Sequence, residues 1–167
     1  MMIATGQHLP EGLLYELPET TLGVCMTQPA ALKVSELAAG KNLVIFAVPG
    51  AFTPTCSAQH LPGFIQLADA FRQCGIDEIW CISVNDAYVM QAWGLAQQNR
   101  NRVRLLADGA ARWTMTLGLE QDASERGLGL RSKRYAMIVH DGVVQYLAVE
   151  APGQFEVSRA ERVLEQL

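Results

Sequence analysis

Six apolar residues, Leu43-Val44-Ile45-Phe46-Ala47-Val48, run without a polar break straight into Pro49-Gly50. The run is rich in β-branched and aromatic side chains, which predicts a strand buried on both faces. A strand of that kind needs a layer above it and a layer below it. A helix is expected from about Thr55, because Leu61, Phe64, Ile65, Ala68 and Phe71 keep helical spacing until Gly75 ends it.

The same alternation recurs downstream. Ile79 to Val84 predicts a second buried strand, and Asn85 or Asp86 caps a helix presenting Val89, Ala92, Trp93 and Ala96 on one face. Val103 to Ala107 predicts a short strand, with Asp108 placed to cap a helix through Trp113 and Met115. Gly118 to Ser132 predicts an irregular loop. Tyr135 to His140, Asp141-Gly142 and Val143 to Val149 form a hairpin signal with a type I′ turn. Ser158-Arg159-Ala160-Glu161 predicts a capping box that opens a last helix. Near the N-terminus, Leu13 to Leu17 and Leu22 to Met26 read as edge strands or a hairpin, split by turn residues such as Pro18. The sum is an α/β chain with a central mixed sheet flanked by helices, an edge hairpin following βαβ units as in the thioredoxin fold. No repeat or linker divides the 167 residues, so residues 1–167 are expected to form one domain.

Charge and cysteine spacing exclude several function classes. Lys plus Arg is 13 and Asp plus Glu is 17, giving 13 − 17 = −4, which supplies no electrostatic footprint for nucleic acid or an anionic membrane. The longest near-apolar run, Leu43 to Phe52, is broken by Pro49 and Gly50 and too short to span a bilayer. With no signal-peptide pattern at the N-terminus, a soluble cytoplasmic protein is expected. Cys25, Cys56, Cys74 and Cys81 fit no C-x-x-C or zinc template, so neither metal nor cofactor is expected. Most of these thiols should be buried and inert, with one or two reactive.

The chemistry concentrates in Val48-Pro49-Gly50-Ala51-Phe52-Thr53-Pro54-Thr55-Cys56-Ser57, which joins a strand to a helix at the carboxyl edge of the sheet. Thr53 is a good N-cap and Pro54 suits the first helical position. Cys56 then falls in the first turn, where free N–H groups and the helix dipole favour an ionised sulfur. The bland alternative is a buried structural cysteine. His60 lies one turn after Cys56 on the same face. A Cys–His pair is conceivable there, and a packing or hydrogen-bonding role is the favoured reading.

The segment P-G-A-F-T-P-T-C-S resembles the active-site segment of the peroxiredoxins, in the form of the type II branch and the peroxiredoxin-5 group. Leu61-Pro62-Gly63-Phe64, Ser83-Val84-Asn85-Asp86, Trp93-Gly94, Arg104 to Asp108 and Arg131-Ser132-Lys133-Arg134-Tyr135 continue the resemblance. It implies a thiol peroxidase that reduces hydrogen peroxide and organic hydroperoxides through a sulfenic acid on Cys56. Thr53 then resembles the hydroxyl partner, Pro49 the residue shielding the site, and Arg131 the family's distant arginine. Together with Cys56 these residues would bind the substrate. Arg131 ends the glycine-rich loop, from which a guanidinium could reach the sheet edge. Arg134 ranks below it, being closer to or within the strand. Ionisation alone cannot account for fast chemistry: a free thiol is roughly 3% ionised at pH 7, so full ionisation gains only about thirtyfold. Donors aimed at the peroxide oxygens must supply the rest.

The resemblance further implies a homodimer built beside the site, and a thiol reductant. Cys81 is placed like a cysteine that some plant type II enzymes use for resolution. The stretch Pro152 to Ser158, where the peroxiredoxin-5 group carries its resolving cysteine, has none. A one-cysteine cycle with glutathione and glutaredoxin is therefore expected, its rival being a Cys56–Cys81 disulfide reduced by thioredoxin. Two other function classes compete. A disulfide oxidoreductase of the thioredoxin type would want a cysteine at position 59, which is Gln. A non-catalytic redox sensor would use Cys56 as a switch.

Overall fold

The computed structural model describes residues 1–17 and 28–167. The expected Leu22 to Met26 strand and Cys25 lie outside the described residues. The run from Leu43 builds β3 (Asn42–Val48), and Leu43 to Val48 are buried throughout. Parallel β4 (Glu78–Ser83) pairs with it on one side and antiparallel β8 (Tyr135–His140) on the other. Beyond β4 lie β5 (Arg104–Ala107), β1 (Leu13–Glu16) and β2 (Ala30–Lys33); beyond β8 lies β9 (Val143–Val149). The seven strands run in the order β2-β1-β5-β4-β3-β8-β9. This is the thioredoxin-like mixed sheet expected from the sequence.

Alternate side chains of β3 serve two cores. Val44, Phe46 and Val48 pack with Leu61, Phe64 and Phe71 of α2 (Leu61–Gln73), with Met90 and Trp93 of α3 (Ala87–Ala96), and with Val163 of α5 (Ala160–Leu164). Leu43, Ile45 and Ala47 face Val34 and Ala38 of α1 (Val34–Ala38) and Trp113 and Leu117 of α4 (Arg112–Leu117). Each fully buried aliphatic or aromatic side chain contributes about 1.5–3 kcal/mol, so the strand is anchored from both layers.

The end signals hold in part. Gly75 adopts φ +90° just after α2, and Asp141 and Gly142 take the left-handed φ values of +44° and +77° that a type I′ hairpin needs. Asp86 caps α3 by accepting from the Val89 N–H at 2.9 Å. Asp108, buried, accepts from the N–H groups of Trp113 and Thr114 and from the Thr114 hydroxyl. Other expectations need correction. The buried face of α3 is Ala87, Met90, Trp93 and Gly94, while Ala92 and Ala96 are exposed. The Gly118 to Ser132 stretch folds as a small hairpin, β6 (Glu120–Asp122) on β7 (Leu130–Ser132), closed by a 3₁₀ turn over Ser124–Arg126. The Ser158 hydroxyl forms no capping box: α5 is capped at Arg159 without a side-chain bond, and the hydroxyl donates to Glu150. A buried carboxylate eight residues away competes successfully for that proton. The antiparallel partners of β1 are β2, over Ala30–Lys33, and β5, where Tyr15 lies opposite Ala107.

Candidate active site

The site forms where β3 and β4 end. Beyond Val48 the chain turns through Pro49 to Phe52 and enters a helix at Thr53, whose carbonyl accepts from the Ser57 N–H at 3.0 Å. Cys56 to His60 form a π turn in which the Leu61 N–H reaches back five residues to the Cys56 carbonyl. Pro62 accounts for the widening, since it has no N–H for the Ala58 carbonyl and its ring would crowd that oxygen. The wide turn carries Cys56 and His60 into the interior, both fully buried.

Three contacts fix the turn. Asn85 Oδ1 accepts from the Ala51 N–H at 2.9 Å and from the Ser83 hydroxyl at 2.6 Å, tying the turn to the end of β4. The Trp93 indole N–H donates to Ser57 Oγ at 2.9 Å, tying the helix start to α3. The Thr53 hydroxyl donates to the Gly50 carbonyl at 2.6 Å, which leaves its lone pairs free to accept. Thr53 is thus the N-cap by backbone, while its hydroxyl proton is spent on Gly50. A Cβ at Gly50 would lie 3.0 Å from Thr53 Cγ2 and 3.1 Å from Arg131 Nη1, so a larger residue there would press on both side chains.

The guanidinium that reaches the sulfur is that of Arg134. Its Nη2–H donates to Cys56 Sγ at 3.2 Å, reversing the ranking of the two arginines expected from sequence. Arg134 immediately precedes β8, and β8 runs antiparallel to β3 with Tyr135 opposite Ala47. An antiparallel strand starts where its parallel neighbours finish, so its first flanking residue stands at their carboxyl edge. The hairpin signal already contained that placement. Arg131 reaches the edge too, but its guanidinium donates to the carbonyls of Leu128, Pro49 and Val84. It belongs to β7 and fastens that hairpin to the ends of β3 and β4. Pro49, half-buried, contributes the carbonyl of one of those bonds.

His60 explains the orientation of Arg134. Arg134 Nη1–H donates to His60 Nδ1 at 2.9 Å, and a guanidinium can only donate, so the imidazole carries its proton on Nε2. That N–H donates to the Ser158 carbonyl at 3.0 Å. Burial, reinforced by the Arg134 charge, pushes the imidazole down to about 3, so it stays neutral at any working pH. Cys81 packs in the same core as Cys56, beside Phe46 of β3. Burial and then the neighbouring Cys56 charge push its thiol well up, against a smaller opposing pull from Arg134. Cys74, at the far end of α2, is exposed. A cavity of about 530 Å³ beside Tyr15, Asp108 and Trp113 contains none of these side chains. Among the described residues no cluster of His, Cys, Asp and Glu could hold a metal ion.

A buried cysteine at a helix start, bonded to a fixed cation, can attack an electrophile that brings no charge of its own. The comparisons agree with that chemistry. Residues 15–164 match the Redoxin family. The chain is 44% identical to peroxiredoxin-2B of Arabidopsis thaliana over 165 residues, covering 99% of this chain and 98% of the relative. It is 53% identical to the solved structure of reduced Prx3 in complex with hydrogen peroxide from Vibrio vulnificus, with TM-score 0.90 and coverage of 99% and 96%. Peroxiredoxin 5 from Alvinella pompejana superposes with TM-score 0.82 at 31% identity, covering 98% and 96%.

The buried neutral imidazole gives a stability signature. Below pH 6.5 the unfolded chain binds a proton at His60 that the folded chain refuses until about pH 3, so stability falls as the pH drops through that window. The slope from this group is at most about 1.4 kcal/mol per pH unit. Urea midpoints at pH 4 to 7 should therefore fall more steeply for the wild type than for His60→Gln. Parallel curves would mean that the imidazole protonates freely in the fold.

Proposed function

The chain belongs to the peroxiredoxins, thiol-dependent peroxidases, and on that premise we propose that Cys56 is the sulfur that attacks the peroxide. The single observation carrying the assignment is the Arg134 Nη2–H bond to Cys56 Sγ at 3.2 Å, at a helix start on the carboxyl edge of the sheet. In the proposed step the Cys56 thiolate attacks the terminal oxygen of the hydroperoxide. The S–O bond forms as the O–O bond breaks, leaving a sulfenic acid on Cys56. The departing oxygen leaves as an alkoxide, or hydroxide from hydrogen peroxide, and takes a proton from water. Arg134 stabilises the charge spreading from sulfur to the leaving oxygen, which is where fixed donors have most effect. Thr53 accepts from the hydroperoxide O–H with its free lone pairs. Pro49 walls the entrance, and Arg131 acts by holding the Pro49 carbonyl in place.

The proposed reductant is an external thiol. Glutathione attacks the sulfenic acid, water leaves, and the mixed disulfide at Cys56 is then cleaved by a second thiol, glutaredoxin or glutathione. What supports this is the absence of cysteine from 152–158 and the depth of Cys81, buried mid-strand in β4. The rival, a Cys56–Cys81 disulfide released by thioredoxin, draws support from the shared core of the two thiols. It requires the first turn of the helix to unwind.

We also propose a homodimer, formed by a second copy over the apolar side chains around the site. Phe52, Tyr88 and Leu128 are exposed, and Phe52 holds a left-handed φ of +63° in the site loop. Free thiols at Cys56, Cys74 and Cys81 suit a reducing, cytoplasmic setting.

Cys56→Ser should abolish peroxide reduction in stopped-flow assays, whereas Cys74→Ser should leave it near wild type. Arg134→Ala should slow the peroxide step by about a hundredfold or more even at high pH, because the lost donor acts on the transition state. Thr53→Val should lose less, and full recovery of either at high pH would reduce that residue to tuning ionisation. Removing Cys81 separates the two reductive cycles: Cys81→Ser should keep turning over with glutathione and glutaredoxin. Arrest of that variant after one turnover would favour the disulfide route. Light scattering at micromolar concentration should give twice the chain mass, 18.3 kDa, and a monomer would refute the dimer.

A further inference from the structure

We propose that His60 and Glu150 are positioning residues for the peroxide step, closing a hydrogen-bonded ring that holds the Arg134 guanidinium against Cys56. The inference rests on the peroxidatic role given to Cys56 above.

The ring starts and ends on one residue. The Arg134 carbonyl accepts from the Glu150 N–H at 2.9 Å. Glu150, buried just beyond β9, uses one carboxylate oxygen three times: it accepts from the N–H of Glu156 at 2.7 Å, the N–H of Ser158 at 2.8 Å and the Ser158 hydroxyl at 3.0 Å. These bonds curl residues 151–157 into a turn and aim the Ser158 carbonyl inward. That carbonyl accepts from His60 Nε2–H, and His60 Nδ1 accepts from Arg134 Nη1–H. Backbone and guanidinium of Arg134 are thus clamped by the same turn, leaving Nη2 directed at Sγ. Phe155, carried on the turn, packs edge-on to the His60 ring at 4.9 Å and lies 5.6 Å from the Arg134 guanidinium carbon.

Such a clamp has work to do. A free arginine side chain samples many rotamers, so an unsupported guanidinium would spend most of its time away from the sulfur. Among the described residues no carboxylate pairs with Arg134 within the 4.0 Å of an ion pair. Its orientation therefore depends on His60, and through His60 on the turn that Glu150 holds. A plainer role is available to His60, as an aromatic filler between Phe46, Phe64 and Phe155. The two roles differ in what a substitution does once Arg134 is gone.

The test is a double-mutant cycle on the full chain, reading the second-order rate with hydrogen peroxide by stopped flow at about pH 9, with thiolate absorbance confirming ionisation. His60→Phe keeps the packing and removes both hydrogen bonds; His60→Gln can still accept and donate. We expect His60→Phe to slow the reaction about tenfold or more, and His60→Gln to recover to within about threefold of wild type. In the Arg134→Ala background His60→Phe should change the rate by less than about twofold. Glu150→Leu, which removes the acceptor and touches neither guanidinium nor sulfur, carries the same cycle should His60→Phe lose its native near-ultraviolet circular dichroism. Equal losses with and without Arg134, or a wild-type rate in His60→Phe, overturn the ring. A wild type inert to peroxide would instead remove the peroxidatic assignment itself.

Discussion

Everything at this site depends on β3 being buried on both faces. Because Val44, Phe46 and Val48 point into one core while Leu43, Ile45 and Ala47 point into the other, the strand cannot shift register without exchanging its layers. Its carboxyl end is therefore a fixed origin. From it β4 delivers Ser83 and the following Asn85, and β8 starts with Arg134 just outside it. Cys56 enters on the helix that packs against the first core. The Cys56 sulfur and its cation come from segments 78 residues apart, yet both are located by the ends of two adjacent strands.

That dependence explains which parts were legible in the sequence. The apolar run of β3, the Asp141-Gly142 turn and the periodicity of α2 are local signals, each settled by residues within a few positions. The segment from Pro49 to Ser57 is local as well, so Cys56 and Thr53 stand where the sequence puts them. The arginine was not local. Arg131 and Arg134 are three residues apart, and spacing does not choose between them. The direction of β8 does, because an antiparallel strand begins at the carboxyl edge of β3. Ser158 misled for a related reason. Its sequence context is that of a capping box, but the competing acceptor, Glu150, becomes available only when the turn after β9 folds back. The hairpin between Gly118 and Ser132 was hidden by glycines and mixed charges, and its Arg131 anchors onto carbonyls supplied by distant strands.

The π turn is a further consequence of packing two demands into one short segment. The helix must begin at the sheet edge, where Thr53 and Pro54 start it, and it must admit Pro62 within its first turns. A regular helix would bring the Pro62 ring against the Ala58 carbonyl. The added residue in the turn removes that clash. It also lies in the stretch that carries both Cys56 and His60, so the relative placement of sulfur and imidazole is set by the widened turn. Trp93 and Asn85 brace the segment from outside, through Ser57 and Ala51, without touching the sulfur.

The choice of a neutral partner for Arg134 follows from electrostatics. Two unit charges about 4 Å apart interact by about 4 kcal/mol at an effective dielectric constant of 20. A carboxylate in place of the imidazole would hold the guanidinium equally well but would oppose its field at the sulfur. The imidazole accepts one hydrogen bond and brings no charge, because burial and the arginine itself keep it neutral. The acid in the circuit, Glu150, is kept one step away, where its charge is taken up by two backbone N–H groups and the Ser158 hydroxyl. Geometry is thus transmitted to Arg134 while its positive charge is left facing the Cys56 sulfur.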